Sequence, residues 1–497
     1  MSRSRDDKRT KRPRDSKEAK SADFSGNING GDGSNGFASE VIAPGTTGRY
    51  LVLLREGTAK DGINTLNNIA GLRVASSTDF DGGVVASETL GGADAIFFDN
   101  LSVAVVDTLP EQIQTLGVSA AEGNAILAIE PERVVYALPA AAPARIPATR
   151  ETFVDADYSP APPIADLAAA TATGATLEFL RGYRDAVDHL VGRMLSAGGV
   201  TEATAEEGMA RAINESELTW GLQVTKVAAS RFSGSGVRLA VLDTGLDLGH
   251  PDIAGRRIVP VSFVENQAAQ DGHGHGTHCI GTACGSKQPG RLPRYGIAHN
   301  AEIYAGKVLS NQGSGTDMGI IAGIAWAIAN GCTVVSMSLG AAVLPGQSFS
   351  QFYEEVAKRS LAAGTLIIAA VGNESERPAV ISPVAHPANC PSIMAVGALT
   401  AQLQVAPFSC GGINPQGGQV DIAGPGVSVR SAWPRPTLYH TISGTSMATP
   451  HVAGIAALLA EANPGSRGRA LGSLLLQSAR RLALPARDVG AGLVQAP

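Results

Sequence analysis

Residues 442–454 read Ile-Ser-Gly-Thr-Ser-Met-Ala-Thr-Pro-His-Val-Ala-Gly, and this stretch constrains structure and chemistry more than any other. Gly444 permits a tight turn, and Ser446 stands where an apolar helix is predicted to begin at Met447. A serine at a helix N-terminus lies beside unpaired backbone N–H groups and the positive end of the helix dipole. Such a position suits an oxygen nucleophile whose reaction creates an oxyanion nearby. A serine that only caps the helix fits the same pattern, so the chemistry needs support from elsewhere in the chain.

Two upstream segments give that support. Residues 237–243 read Val-Arg-Leu-Ala-Val-Leu-Asp and predict a buried strand that ends at Asp243, where a carboxylate is held rigidly enough to orient an imidazole. Residues 271–279 read Asp-Gly-His-Gly-His-Gly-Thr-His-Cys, and the small and apolar residues after them indicate a helix. Asp243, His275 and Ser446 therefore follow one another in an order known for the Asp-His-Ser catalytic triad.

These motifs resemble those of the subtilase (subtilisin-like) serine peptidases. The resemblance extends over roughly residues 219–484 and includes a fourth motif, Ala-Val-Gly-Asn at residues 370–373. It implies an α/β protein with the subtilisin-like three-layer fold and a mostly parallel central sheet. It also implies a hydrolase, a serine endopeptidase that cleaves peptide bonds in proteins through an acyl-enzyme on Ser446.

The resemblance also assigns roles to the other triad residues. His275, the first histidine of His-Gly-Thr-His, is the general base rather than its neighbours His273 and His278. Asp243 fixes the tautomer of that imidazole and stabilises the imidazolium that forms. The three histidines also suggest a metal site, but no carboxylate or cysteine follows at zinc spacing, so we predict no metal there.

The substrate contacts follow from the same resemblance. The side-chain amide of Asn373 and the backbone N–H of Ser446 are expected to form the oxyanion hole. Two exposed strand edges are expected to pair with an extended peptide, beside a pocket with a small base and an acidic rim. Such a pocket accepts large apolar or long basic side chains. The residues are Ser338, Leu339 and Gly340 on one edge, Gly313, Ser314 and Gly315 on the other, Ala385 at the pocket base and Glu374 at its rim.

Charge is distributed unevenly over the 497 residues. Residues 1–20 hold nine Lys or Arg and four Asp or Glu, a net charge of +5, whereas the whole chain carries −6. Because no aromatic residues alternate with these charges, we predict a disordered basic arm over residues 1–47 and no nucleic-acid binding. No run of about 18 apolar residues predicts a membrane span, and no apolar leader follows the basic start. We therefore expect a cytoplasmic location, with secretion by a leaderless route as the alternative.

Residues 48–138 predict a small α+β domain. Its order of elements resembles the inhibitor-like propeptide of subtilases, which assists folding and then occupies the substrate cleft. A self-inhibited precursor, or zymogen, is therefore expected, with an unrelated small domain as the alternative. The predicted elements are strands at residues 48–54, 101–106 and 125–130, helices at 62–70 and 110–116, and an extended tail at 134–138.

The rest of the chain divides into two predicted parts. Residues 139–217 are predicted to be a linker rich in proline and alanine, followed by an amphipathic helix at residues 177–197. We assign no chemistry to this insertion. The subtilisin-like peptidase domain is predicted to span residues 218–497.

The five cysteines do not form an even disulfide framework, which predicts buried reduced thiols. A bridge between Cys390 and Cys410 is the alternative. Cys279 lies four residues after His275, on the same face of the predicted helix. It resembles the free cysteine beside the histidine in thiol-containing subtilases, which implies inhibition by mercurials.

Calcium is expected to be absent from the usual family site. Asp252 matches a calcium ligand of the family, but residues 285–291 replace the loop that supplies the other ligands. Lysine and arginine in that loop oppose cation binding. We therefore expect no required cofactor, while weaker calcium sites elsewhere stay open.

Three functions are compatible with these features. The first is an endopeptidase restrained by its own propeptide or by a dedicated protein inhibitor. The second is a narrow-specificity processing protease for one precursor protein. The third is a non-catalytic binding protein with the subtilase fold, against which the complete set of catalytic residues argues.

Overall fold

The computed structural model describes residues 45–137 and 213–497, without residues 56–58, 69, 81–84, 86–89, 91 and 123–124. Most of the predicted basic arm and of the predicted linker, with its helix at residues 177–197, lies outside the described residues. No helix in the described part is both long and apolar enough to span a membrane.

Residues 46–137 fold into a sheet with two helices. The elements are β1 (Thr46–Leu54), α1 (Ala59–Asn68), β2 (Val74–Ser76), β3 (Ala95–Phe98), β4 (Val103–Val106), α2 (Pro110–Ala121) and β5 (Ile126–Ala137). Within this part the strand order is β5-β1-β4-β3-β2, and all neighbours are antiparallel except β2 and β3. The sequence-based prediction missed β2 and β3, and β5 continues to Ala137 instead of ending at residue 130.

Both faces of this sheet are buried, as β1 illustrates. Successive residues of a strand point to opposite faces. Val52 and Leu54 pack in a small core with Leu66 of α1, whereas Leu51 and Leu53 join the larger core of the C-terminal part. All four strand residues are at most 2% exposed. The apolar sequence of β1 therefore stabilises its own domain and its contact with the rest of the chain.

Residues 220–497 are built around a parallel seven-stranded sheet. The strands are β6 (Arg238–Asp243), β7 (Ile258–Ser262), β8 (Glu302–Lys307), β9 (Ser314–Thr316), β10 (Val334–Met337), β11 (Leu339–Gly340), β12 (Leu366–Ala370), β13 (Met394–Leu399), β14 (Ile422–Pro425), β15 (Val429–Ala432) and β16 (Tyr439–Ile442). The helices are α3 (Trp220–Val224), α4 (His275–Cys284), α5 (Asp317–Ala329), α6 (Gln351–Ala362), α7 (Thr445–Ala462), α8 (Arg469–Ser478) and α9 (Ala486–Val489). The sheet order is β14-β13-β12-β10-β6-β8-β7, and β15 pairs with β16 in a separate ribbon.

Helices cover both faces of the parallel sheet. Ala240 and Leu242 of β6 pack in the core that includes α5 and α6, while Leu239 and Val241 pack in the core that includes α4 and α7. A strand buried on both faces explains the continuous apolar run before Asp243. The predicted α/β architecture with a parallel central sheet is thus confirmed. Because the carboxyl ends of parallel strands meet at one edge, this fold collects the candidate functional residues there.

Candidate active site

Ser446 is the second residue of α7 and is fully buried. Its Oγ donates a hydrogen bond to the carbonyl oxygen of Ser338 at 3.2 Å, and its own carbonyl oxygen accepts one from the Ser338 hydroxyl at 2.8 Å. The N–H groups in the first turn of a helix have no acceptors within the helix. The serine is therefore fixed between a helix start and the residue that precedes β11.

Asp243 and His275 form a buried hydrogen-bonded pair. Asp243 ends β6 and His275 opens α4, and Oδ1 of Asp243 lies 2.8 Å from Nδ1 of His275. The same carboxylate oxygen accepts the Thr244 N–H at 2.7 Å. Nε2 of His275 has no hydrogen-bond partner among the described residues, and it is the atom that would accept the Ser446 proton. Serine–histidine hydrogen bonds of this kind often tighten only when substrate is bound.

The Asp243 carboxylate controls the protonation of this imidazole. Burial alone would lower the pKa of His275, because a charged imidazolium is costly to desolvate. The charge of Asp243, its hydrogen bond to the ring and the neighbouring Cys279 together outweigh burial and hold the pKa of His275 well above its ordinary value. The resting site therefore favours the imidazolium more strongly than an exposed histidine does.

We expect peptide hydrolysis to show a pH dependence that follows from this pKa. Only the neutral imidazole accepts the serine proton, so kcat/KM should rise with pH along an acid limb centred above pH 6.5, the ordinary pKa of histidine. Asp243→Asn should move the limb to lower pH, because it removes the negative charge that raises the pKa. A limb at or below pH 6.5 in the unmodified chain would contradict this assignment.

His278 and His273, the two alternatives to His275 as general base, lie in different surroundings. Nε2 of His278 lies 3.0 Å from the carbonyl oxygen of Val429, and burial lowers the pKa of His278 to about 3. His273 is exposed and stands against Gly313. Of the three histidines, His275 is thus the one whose ring lies within hydrogen-bond distance of a described carboxylate.

Asn373 follows β12 and is held by the helix that carries Ser446. Its Oδ1 accepts hydrogen bonds from the backbone N–H and the hydroxyl of Thr445, each at 2.9 Å. A Cβ at Gly444 would lie 3.3 Å from Nδ2 of Asn373, so this amide nitrogen stands beside the start of α7. The fixed Oδ1 orients the side-chain amide of Asn373 beside the start of α7. The contact with Thr445 could not be predicted from the sequence, because Thr445 lies 72 residues from Asn373.

Both predicted substrate-binding edges are paired with the chain's own strand β5. Tyr136 lies opposite Ser314 of β9 and also opposite Gly340 of β11. Val135 lies opposite Gly315, and both pairings are antiparallel. The C-terminal part of β5 is therefore the middle strand between the two edges, as an extended peptide would be.

The last described residue of β5 lies near the nucleophile. The Ala137 N–H donates to the carbonyl oxygen of Gly313 at 2.7 Å, and Ala137 lies opposite Leu339. The residue before Leu339 is Ser338, whose carbonyl oxygen accepts the hydrogen bond from Ser446. The groove filled by β5 thus leads directly to the candidate active site.

The predicted pocket residues lie together. A Cβ added at Gly340 would lie 3.7 Å from the Cβ of Ala385, and a Cβ added at Gly372 would lie 3.0 Å from it. Gly340, Gly372 and Ala385 therefore pack against one another. Glu374 is exposed, and its Oε2 accepts a hydrogen bond from the Cys410 thiol at 3.1 Å. Burial, and then the Glu374 carboxylate, raise the pKa of Cys410 to about 12. Cys410 could not be placed in this pocket from the sequence, because its partner Glu374 lies 36 positions away in the chain.

All five cysteines are buried free thiols, and the alternative disulfide between two of them is not formed. Sγ of Cys279 lies 3.9 Å from Nδ1 of His275 and 3.6 Å from the carbonyl oxygen of Ser446. Burial raises the pKa of Cys279, so the thiol is not itself an activated nucleophile. A mercurial bound to the Cys279 thiol would therefore lie against the Asp243–His275 pair.

The Asp252 carboxylate accepts hydrogen bonds from two proton donors. Oδ2 of Asp252 accepts a hydrogen bond from the Tyr295 hydroxyl at 2.6 Å, and Oδ1 accepts one from the Gly290 N–H at 2.7 Å. Calcium requires six to eight oxygen ligands, whereas this carboxylate faces proton donors. The loop of residues 285–291 therefore supplies a hydrogen-bond donor instead of further oxygen ligands.

Comparisons with known proteins agree with this geometry. A family model described as the Subtilase family, Peptidase_S8, matches residues 234–492. Subtilisin E of Bacillus subtilis (strain 168) is 42% identical over 236 residues, which cover 47% of this chain and 58% of that protein. Subtilisin of Bacillus pumilus is 41% identical over 236 residues, 47% of this chain and 80% of that protein. The solved structure of Sphericase matches with a TM-score of 0.50 and 31% identity, over 58% of this chain and 100% of that chain.

Proposed function

The chain belongs to the subtilase family, and from this premise we propose that it is a serine endopeptidase that hydrolyses peptide bonds in proteins. The observation that carries the proposal is the buried Asp243–His275 pair at 2.8 Å, at the edge of the sheet where α7 presents Ser446. The chain spans 58% of the length of the first curated relative, so substrate class and activity are inferred from its own site. Covalent labelling of the full chain by a fluorophosphonate, which reacts with activated serines, tests the proposal.

Each residue of the site has a defined step in this reaction. Oγ of Ser446 attacks the peptide carbonyl carbon while Nε2 of His275 takes its proton. The Asp243 carboxylate stabilises the imidazolium, and the Asn373 amide and the Ser446 N–H donate to the oxyanion. The imidazolium then protonates the leaving amine, and water hydrolyses the acyl-enzyme by the same proton transfers in reverse.

We further propose that the domain formed by residues 46–137 is an inhibitory propeptide. Its strand β5 occupies both edges that a substrate would use, and its sheet buries one face against α5 and α6. A substrate cannot pair with β9 and β11 while β5 is between them. The domain therefore competes with substrate directly.

Two glutamates of this domain also accept hydrogen bonds from backbone N–H groups in the first turns of two helices of the peptidase domain. Oε1 of the fully buried Glu132 accepts the Met318 N–H at 2.9 Å in the first turn of α5, and Arg49 pairs with the same carboxylate at 2.6 Å. Oε1 of Glu130 accepts the Phe352 N–H at 3.0 Å in the first turn of α6. Carboxylates stabilise helix N-termini, where N–H groups lack acceptors. These contacts support a role of the domain in folding the peptidase as well as in blocking it.

Added as a separate polypeptide, residues 45–138 should inhibit a peptidase fragment that begins at residue 213. The start at 45 keeps all of β1, and the start at 213 keeps the hydrogen bond from the Trp220 N–H to Glu215. Glu132→Gln should weaken inhibition by roughly 10- to 100-fold, since it removes a charged acceptor from a helix terminus. Glu111→Gln, an exposed residue of α2, is the matched control and should inhibit as the unmodified domain does. Absence of binding between the two fragments would rule out the propeptide assignment.

We also propose that the peptidase requires no cofactor and binds no calcium at Asp252. The hydrogen bonds from Tyr295 and Gly290 support this, because they direct proton donors at the carboxylate. Weaker calcium sites elsewhere are compatible with the proposal.

A further inference from the structure

Lys307 is a fully buried lysine beside the catalytic aspartate. It ends β8, in parallel register with Asp243 at the end of β6. Its Nζ donates to the carbonyl oxygen of Thr244 at 2.5 Å and to Oδ1 of Asn311 at 2.9 Å. Burying an ammonium group is costly unless negative charge and hydrogen-bond acceptors compensate. The catalytic steps described above make no use of this residue.

The negative charge near Lys307 comes from two buried carboxylates. Asp243 and Asp271 are 1% and 3% exposed, and Thr244 connects them. The Thr244 N–H donates to Oδ1 of Asp243 at 2.7 Å, and its hydroxyl donates to Oδ1 of Asp271 at 3.0 Å. Asp271 also accepts the N–H groups of Gly274 at 2.8 Å and Thr277 at 2.8 Å, and so holds the start of α4, where His275 lies.

We infer that Lys307 is a positioning residue of the active site: it balances the charge of Asp243 and Asp271 and fixes Thr244 between them. The inference rests on the proposed peptidase function. Lys307 does not touch the reacting atoms. It acts through Thr244, whose carbonyl oxygen it holds and whose N–H and hydroxyl reach the two carboxylates.

The charges around the Asp243–His275 pair give the positioning role of Lys307 a measurable consequence. His275 is faced by the Asp243 carboxylate, by the protonated thiol of Cys279 and by the imidazoles of His273 and His278. Lys307 in turn faces Asp271 and Asp243. Burial lowers the pKa of Lys307 below its ordinary value, and the charges of these two carboxylates oppose that effect in part. Without the ammonium, two buried carboxylates would attract a proton more strongly. The proton affinity of the Asp243–His275 pair would therefore increase, whichever of the two groups carries the proton.

The test is Lys307→Met in the full chain, with the pH profile of kcat/KM for peptide hydrolysis as the readout. We expect the acid limb to move to higher pH by roughly half to one unit, the size of a charge effect across several ångströms of protein. Lys358→Met, which alters an exposed lysine of α6, is the matched control and should leave the limb in place. A folded Lys307→Met protein with an unmoved limb would overturn the inference, since a purely structural role lowers the rate without moving the limb.

A double variant decides the case if Lys307→Met does not fold. Adding Asp271→Asn removes one negative charge together with the positive one, so the double variant should fold where Lys307→Met does not. Asp271→Asn alone is the control, because it removes an acceptor of the Thr277 N–H and hydroxyl. If the control folds and the double variant does not, charge balance is not the role of Lys307 and the inference fails. When both proteins fold, the limb of the double variant should return toward that of the unmodified chain.

Failure of the Lys307 inference can be distinguished from failure of the peptidase proposal. If the unmodified chain neither hydrolyses peptides nor reacts with a fluorophosphonate, the peptidase proposal fails. The inference is then tested by NMR titration of His275 in the full chain with Ser446→Ala, with and without Lys307→Met. The titration midpoint should rise in the second protein, and an unchanged midpoint would overturn the inference.

Discussion

Ser446→Ala is expected to abolish peptide hydrolysis and fluorophosphonate labelling while leaving the fold intact. The change removes one hydroxyl whose hydrogen bond goes to the Ser338 carbonyl oxygen at 3.2 Å, so little packing is lost. Turnover should fall by about six orders of magnitude, as it does in a subtilisin that lacks its nucleophile. The measurements are the rate of peptide hydrolysis, the extent of labelling and the circular dichroism spectrum.

Ser443→Ala is the matched control for this experiment. It makes the same chemical change three residues earlier, at a hydroxyl that accepts the Ser428 N–H at 2.9 Å. The control protein should still be labelled. Hydrolysis at an undiminished rate by the Ser446→Ala protein would show that another residue is the nucleophile.

Asn373→Ala should lower turnover by about 100- to 1,000-fold, the loss known for such a donor in a subtilisin. Its amide N–H donates most strongly to the charge that develops in the transition state, so KM should change little. Because Oδ1 also holds Thr445 at 2.9 Å, the melting temperature of the variant is measured alongside kcat and KM.

Asn463→Ala, at the other end of α7, serves as the control for Asn373→Ala. Its side chain donates to the Leu459 carbonyl oxygen within the same helix at 2.9 Å, far along the helix from Ser446, so turnover should stay unchanged. A rise in KM with unchanged turnover for Asn373→Ala would place Asn373 in ground-state binding instead of the oxyanion hole.

The strand that ends at Asp243 and the helix that carries Ser446 could be predicted from the sequence because their signals are local. The apolar run before Asp243 reflects a strand buried on both faces, and the glycine-serine turn at residues 444–446 precedes a long apolar helix. The parallel sheet and the grouping of the site residues were implied by the resemblance to the subtilases, and no local pattern supplies the distances between those residues.

The contacts that span the chain could not be predicted in this way. Lys307 ends a strand that reads Glu-Ile-Tyr-Ala-Gly-Lys, and nothing local distinguishes it from a solvent-exposed lysine. Glu130 and Glu132 read as surface residues of a charged segment, yet they bind helix N-termini roughly two hundred residues away, at a separation of 186 positions between Glu132 and Met318. Burial of a charged residue depends on partners that only the tertiary fold brings together.

The short strands β2 and β3 also could not be predicted from the sequence. Val74–Ser76 and Ala95–Phe98 have three and four residues, too few for a periodic pattern to separate strand from turn. Their parallel pairing completes the sheet of the N-terminal domain.

The continuity of β5 would make the proposed inhibitor part of the same molecule as the cleft whose edges it pairs with. The first half of the strand pairs with β1 in its own domain, and the second half pairs with β9 and β11. An incoming substrate therefore competes with a tethered segment, whose effective concentration is on the order of millimolar or higher. Even weak intrinsic affinity of that segment for the cleft would then raise the apparent KM of the full chain. A single backbone cut after Ala137 would convert this competition into an ordinary bimolecular one, which dilution relieves.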